Sequence, residues 1–213
     1  MNKKHTLEDR LIGAVDNALR SLFAPASGGR RHNPAGDAPD APLDAATKRH
    51  VAGLMRVNQA GEVAAQGLYQ GHAMVSRDPA VTEKLEHAAE EEWDHLNWCT
   101  ERLQELDGRP SALNLVWYGG AFAMGALSGI AGDRYSLGFI AETEKQVVEH
   151  LNEHLKRLPD ADSRSRRILE TMRDEEAGHG DDASKAGGTD LPAPVRGLMR
   201  RVSKLMTRGA YWV

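Results

Sequence analysis

EEEWDHLNWC (residues 90–99) places three acids, then a histidine one turn later, among two tryptophans and a lone cysteine. A second stretch, DEEAGHGDD (174–182), has the same form. Each contains Glu-x-x-His: Glu92 with His95, and Glu176 with His179. Residues three apart on an α-helix share a face, so each pair can reach one metal ion. A carboxylate has two oxygens and can serve two metals while its histidine binds one. Two such pairs on two helices describe two metals sharing two bridges. A solvated acidic face accounts for either stretch taken singly; their repetition asks for a common cause.

Each metal then needs a terminal carboxylate from the two remaining helices, which is the ligand set of ferritin-like di-metal four-helix bundles. In MRVNQAGEVAAQGLYQGH (55–72) the only acid is Glu62, set among Ala, Val, Leu and Gly. An unpaired carboxylate on that apolar side would be costly. In ETEKQVVEHLNEHL (142–155) the candidates are Glu142, Glu144, Glu149 and Glu153. Glu62 precedes Glu92 by 30 positions and Glu144 precedes Glu176 by 32, so the halves read as an approximate repeat that selects Glu144 over Glu142. Carboxylate-rich, thiolate-free donors suit iron or manganese better than zinc or copper.

The rest of the chain fits an all-α fold. Helical spacing of apolar residues predicts a short amphipathic helix over 7–23. The stretch 24–42, rich in Pro, Gly, Ala and Asp without periodicity, reads as a flexible linker. Residues 1–42 thus form a helix plus linker, and 43–213 the main domain. Four long helical stretches follow: 45–75; one from Pro79, stopped by Asp107-Gly108-Arg109-Pro110; 114–157, broken near Gly132-Asp133; and one from Asp162-Ser163 to Gly187-Gly188. A last amphipathic helix spans 194–208. The expected architecture is an antiparallel four-helix bundle with an added N-terminal helix and a C-terminal amphipathic helix.

Composition is that of an ordinary globular chain: 213 residues, 40% hydrophobic, 27% charged, net charge −4. Nothing in that balance points to nucleic acid. The single Cys99 excludes an intramolecular disulfide and a cysteine-based metal cluster, and reads as a small buried hydrophobe. The opening residues lack the apolar core of a signal peptide. The uncharged stretch 112–132 is long enough to span a bilayer, but its five glycines favour a closely packed or membrane-touching helix.

The segments LMRVNQAGEVAAQGLYQGH, EEEWDHL, ETEKQVVEHLNEHL and RDEEAGHGDDA together resemble the demethoxyubiquinone hydroxylases, di-iron monooxygenases of ubiquinone biosynthesis. The resemblance covers roughly residues 43–213, and the family's RV-x-x-AGE motif stands here as Arg56 to Glu62. It implies two iron ions per chain, with Glu62 and Glu144 as terminal ligands, Glu92 and Glu176 as bridges, and His95 and His179 each on one iron. It implies dioxygen-dependent hydroxylation of the one unsubstituted ring carbon of a polyprenyl benzoquinol. Electrons would come from a reduced nicotinamide donor or the quinol itself. No G-x-G-x-x-G fingerprint is present, so no dinucleotide fold is expected in the chain. His150 matches a family histidine near substrate and iron. The resemblance also makes a ubiquinone-biosynthesis complex a candidate partner.

The terminal helix sets Leu198, Met199, Val202, Leu205 and Met206 on one face, with Arg196, Arg200, Arg201, Lys204 and Arg208 elsewhere, and suits an anionic membrane interface. A peripheral position on the cytoplasmic face of the cell membrane is therefore expected. Asp94, Asp174 and Asp182 read equally as acceptors that orient the ligand histidines or as exposed surface carboxylates. Two rival functions share the fold. A hydroxylase of a modified tRNA base is disfavoured by the acidic pI near 6.1. An iron-storage or ferroxidase subunit needs a uniformly polar outer surface, which 112–132 fits badly.

Overall fold

The computed structural model describes residues 7–23, 30–40 and 42–213, with side chains from residue 12 onward. The expectations for residues 1–6, for 24–29 and 41 of the linker, and for the side chains of Leu7 and Leu11 lie outside the described residues. Seven helices and no strand occur among the described residues: α1 (Leu7–Phe23), α2 (Ala45–Val75), α3 (Pro79–Glu105), α4 (Asn114–Ala131), α5 (Asp133–Arg157), α6 (Ser163–Lys185) and α7 (Ala193–Trp212).

Local chemistry sets the helix ends. Asp44 starts α2 by accepting the backbone N–H groups of Ala46 and Thr47, and Asp78 caps α3 ahead of Pro79. The third long stretch divides at Gly132, whose φ of 121° only glycine adopts without strain, so α4 and α5 are separate helices. The bundle is α2–α3 paired with α5–α6. Its core joins Leu54 and Met55 of α2, Cys99 and Leu103 of α3, Leu151 of α5, and Ile168, Leu169 and Met172 of α6. Cys99 is buried there as expected.

The glycine-rich stretch becomes α4, which lies along α2 with backbones in close approach. A Cβ on Gly71 would meet the Phe122 carbonyl oxygen and the Ala126 nitrogen, both backbone atoms that cannot swing away. Gly71→Ala should therefore destabilise the protein by at least about 1–3 kcal/mol, lowering Tm by about 2–4 °C per kcal/mol. Gly119→Ala, with open space at its Cβ, should leave Tm unchanged or slightly raised. Equal melting of the two variants would refute the close packing. No helix among the described residues is long and apolar enough to cross a membrane.

The linker differs from expectation. Residues 30–40 are fastened to the bundle rather than free of it. Asp94 accepts the backbone N–H of Arg30 at 2.6 Å, Asn33 donates to Glu101, and Arg164 donates to the Gly36 and Ala38 carbonyls. Ala35 and Ala38 are buried. The composition of the stretch suggested a free chain because its partners lie sixty or more positions away. Helix α1 also lies on the bundle, packing Leu22 near Val63 and Trp93, yet leaves Ile12, Val15, Leu19 and Phe23 exposed.

Candidate metal centre and adjoining groove

Helices α2, α3, α5 and α6 each turn acids inward at one level of the bundle. Glu62, Glu92, His95, Glu144 and Glu176 are almost wholly buried, and His179 is 13% exposed at its side chain. Glu62, Glu92, His95 and Glu176 each offer a donor atom within 4.8 Å of the others. The two Glu-x-x-His carboxylates are divided between the two histidines. Glu92 sets Oε2 3.0 Å from His95 Nδ1 and Oε1 2.9 Å from His179 Nδ1. Glu176 sets Oε1 3.2 Å from His95 Nδ1 and Oε2 3.4 Å from His179 Nδ1. Glu62 Oε2 stands 4.0 Å from His95 Nδ1. Glu144 accepts a hydrogen bond from the Tyr69 hydroxyl at 2.8 Å. Glu142 turns away, accepting from Gln146 and standing 3.6 Å from Arg200 of α7.

Glu92 Oε1, Glu176 Oε2 and His179 Nδ1 are closed to solvent and have no aligned hydrogen-bond partner among the described residues. Buried donor atoms left in that state are costly unless something else satisfies them. Four carboxylates and two imidazoles with no thiolate make a donor set that fits a pair of hard or borderline divalent ions such as iron.

The electrostatics agree. Burial, then the charges of Glu92 and Glu176, push Glu62 well above the carboxylate range. Burial, then Glu176 and Glu92, do the same to Glu144. Burial alone would raise Glu92, but the adjacent His95 and His179 outweigh it and hold its carboxyl far below the usual range. His179 is pushed up to about 12, its burial overcome by Glu176 and Glu92. His95 likewise rises well above its ordinary value against its burial, through Glu92, Glu175 and Glu176. A cluster of anionic donors in a low-dielectric core collects positive charge, as protons or as metal cations.

The outer ring nitrogens find partners that sequence reasoning missed. His95 Nε2 lies 2.7 Å from Glu175, and His179 Nε2 lies 3.0 Å from Glu91. The pairing crosses between helices, α6 serving the histidine of α3 and the reverse. Of the two readings for the aspartates, the surface one holds for Asp174, paired with Arg173, and for Asp182, 3.9 Å from Lys185, while Asp94 is buried and accepts from Arg30 and Arg31 rather than from a histidine. The recurrent Glu-Glu-x-x-His was the available signal, since each partner directly precedes a Glu-x-x-His glutamate.

An apolar cavity of about 480 Å³ is lined by residues of α2, α4, α5 and α7, and Glu62, Glu144 and Glu176 of the acidic cluster are part of its wall. Its polar groups are few: Asn58, Thr143, Gln146 and His150 stand among them. His150 packs against His154 at 3.8 Å between ring centroids, and its Nε2 is buried with no hydrogen-bond partner among the described residues. Burial, then Arg157, lowers its pKa to about 4, so the ring is neutral at physiological pH. Met199, Val202 and Met206 of α7 form part of the wall. The apolar face of α7 is therefore divided: Met199 and Met206 are half-buried on the groove, Val202 lines it but is exposed, and Leu198 and Leu205 are exposed away from it. Leu115, Val116 and Leu127 of α4 are exposed as well.

The chain is 54% identical over 211 residues to a protein of Acinetobacter baylyi named 3-demethoxyubiquinol 3-hydroxylase, covering 99% of this chain and all of the relative. It is 58% identical over 205 residues to one of the same name from Cupriavidus taiwanensis, covering 95% of this chain and 99% of the relative. A third, from Xanthomonas oryzae pv. oryzae, is 53% identical over 212 residues, covering 99% and 96%. Residues 49–210, which contain all six inward-facing donors and the wall of the groove, match the family described as ubiquinone biosynthesis protein COQ7, and the chain belongs to that family.

Proposed function

We infer that the chain hydroxylates the ring of 3-demethoxyubiquinol with dioxygen, a step of ubiquinone biosynthesis, at a di-iron centre. The observation that carries this reading is the apolar groove with Glu62, Glu144 and Glu176 in its wall. Glu62, Glu92, His95, Glu144, Glu176 and His179 would hold the two irons, Glu92 and Glu176 being placed between the two histidines and so able to serve both ions. Bound iron supplies the dioxygen activation and electron transfer that no side chain provides.

The chain's own residues do the rest. The groove takes the quinol ring to its acidic wall and keeps water out, so the reacting carbon meets the centre in a dry site. Asn58, Thr143, Gln146 and neutral His150 offer the hydrogen bonds that orient the ring hydroxyls, with His150 Nε2 free to accept one. The tail lies along Met199, Val202 and Met206. In the net reaction a ring C–H becomes C–OH. The second oxygen atom leaves as water, formed with two electrons and two protons: both from a quinol, or a hydride equivalent from a reduced nicotinamide together with one proton from solvent.

A polyprenyl quinol is nearly insoluble in water, and we assign its delivery to contact with the cytoplasmic face of the cell membrane. Exposed apolar residues on α4 and α7, with Arg201, Lys204 and Arg208 exposed on α7, support that contact. A complex with other enzymes of the pathway would dock on the same membrane.

The iron-loaded protein, given reductant and a short-tailed 3-demethoxyubiquinol, should return a product bearing one oxygen from labelled dioxygen. An unaltered quinol from protein that holds iron would refute the reading. Reversing charge at Arg201, Lys204 and Arg208 together removes attraction worth about 1 kcal/mol per residue. Arg200 is left intact because it faces Glu142. Binding to anionic vesicles should fall about a hundredfold, most clearly at low salt. Turnover of a long-tailed quinol should fall with it, while the short-tailed analogue is hydroxylated as before. Equal vesicle binding by the variant and the unaltered protein would remove the membrane role from α7.

A further inference from the structure

Residues 30–40 cross the bundle beside the His95 half of the metal centre, and one side chain of this strap reaches that histidine's surroundings twice. The Arg31 guanidinium donates from Nε to Asp94 at 2.7 Å, and from its two terminal nitrogens to both oxygens of Glu175 at 2.8 and 3.0 Å. Glu175 Oε2 is the same atom that faces His95 Nε2 at 2.7 Å. The guanidinium also lies over the Trp98 ring, 4.8 Å from its centroid, and Trp98 packs against the His95 ring at 5.3 Å. Arg31 therefore steadies both groups that border the outer side of His95.

The other half of the centre has no such clamp among the described residues. Glu91, the outer partner of His179, is 38% exposed, and its further partner is His87 at 3.4 Å, itself 73% exposed. His95 is fully buried, whereas His179 is not. The two metal positions share their bridges but differ in how firmly their histidines are held.

We propose that Arg31 is a positioning residue for the metal centre. It locks Glu175 and Trp98 around His95, so the metal position at His95 is tightly held and that at His179 is the exchangeable one. The inference rests on the di-iron reading above. A carboxylate on the outer nitrogen of a ligand histidine fixes which nitrogen is free to bind metal and how the ring is turned. Glu175 is 30% exposed at its side chain and would otherwise sample several rotamers. A two-pronged arginine contact removes that freedom in a way the single-point charge of lysine does not.

The test follows iron release to a ferrous chelator from the full-length protein, without oxygen, alongside melting of the metal-free form. The unaltered protein should hold two irons and release them in two phases. In Arg31→Gln the slow phase should quicken by about 10–100-fold, the cost typical of losing an outer partner, while the fast phase is unchanged. Arg31→Lys should restore part of the difference. Metal-free Arg31→Gln loses its ion pair with buried Asp94 and should melt somewhat lower, yet stay folded, because the backbone N–H groups on Asp94 and the Asn33 and Arg164 contacts still fasten the strap. Glu175→Gln should reproduce the effect, and the double variant should add nothing to it. Wild-type release rates in Arg31→Gln would overturn the proposal. So would parallel loss of both irons, which marks a purely structural strap, and so would additive effects in the double variant. An unaltered protein that never holds two irons would instead sink the di-iron reading, and this inference with it.

Discussion

Glu92→Ala should abolish ring hydroxylation and leave neither iron fully bound. Both oxygens of this carboxylate are committed, one 3.0 Å from His95 Nδ1 and the other 2.9 Å from His179 Nδ1. One substitution thus removes a donor from each half of the centre. Loss of an outer partner typically costs 10–100-fold in metal affinity or activity. Loss of a shared ligand should exceed that, about a thousandfold or more. Glu176→Ala should behave alike, because its oxygens are divided in the same way. His95→Ala should weaken mainly one iron, since its Nδ1 serves one position. Iron content and turnover measured on the three variants decide the matter. A Glu92→Ala protein with two irons and full turnover would overturn the bridging assignment.

Glu144→Gln should reduce turnover by at least about a hundredfold, taking the cost of an outer partner as a lower bound, while Glu142→Gln keeps most of it. Two positions along a helix turn the side chain through about 200°, and the two acids part accordingly. Glu144 enters the buried cluster and accepts from Tyr69. Glu142 faces Gln146 and Arg200. Glutamine keeps the volume of glutamate but removes the anionic oxygen, so the fold should survive in both and only the charge is tested. Glu142→Gln loosens one tie to α7, and its small effect should appear in KM for a long-tailed quinol rather than in kcat. The reverse outcome would place the wrong acid of α5 at the centre.

Much of this was legible before any coordinates because it is local. Apolar periodicity and the punctuation at Asp78-Pro79, Asp107-Gly108 and Pro159 located the helices. Matched spacing of Glu62–Glu92 and Glu144–Glu176, with the two Glu-x-x-His pairs, singled out six side chains; Glu62, Glu92, His95 and Glu176 form one buried group, and His179 stands against it. Glu142 and Glu144 were separable by helical angle alone. The glycines of 112–132 hinted at close packing, though not which backbone atoms they would meet.

Other features depend on chain segments meeting across many residues, and no window of sequence contains them. Asp94 looked like an imidazole partner by proximity to His95, yet its carboxylate turns outward to the strap. Glu175 and Glu91 exchange histidines between α3 and α6 because the helices are antiparallel and pack at that level. The strap itself reads as free chain, since Pro, Gly and Ala carry no periodicity; the partners that fasten it, Asp94, Glu101 and Arg164, lie far along the chain. The groove is likewise a product of assembly, closed where α7 returns across α2 and α5. Helix content and the order of the candidate donors follow from the side-chain pattern along the chain, where neighbours are three or four residues apart. The outer partners, the ordered strap and the substrate's path were decided by burial, which obliges a polar atom to find its partner wherever the fold brings one within reach.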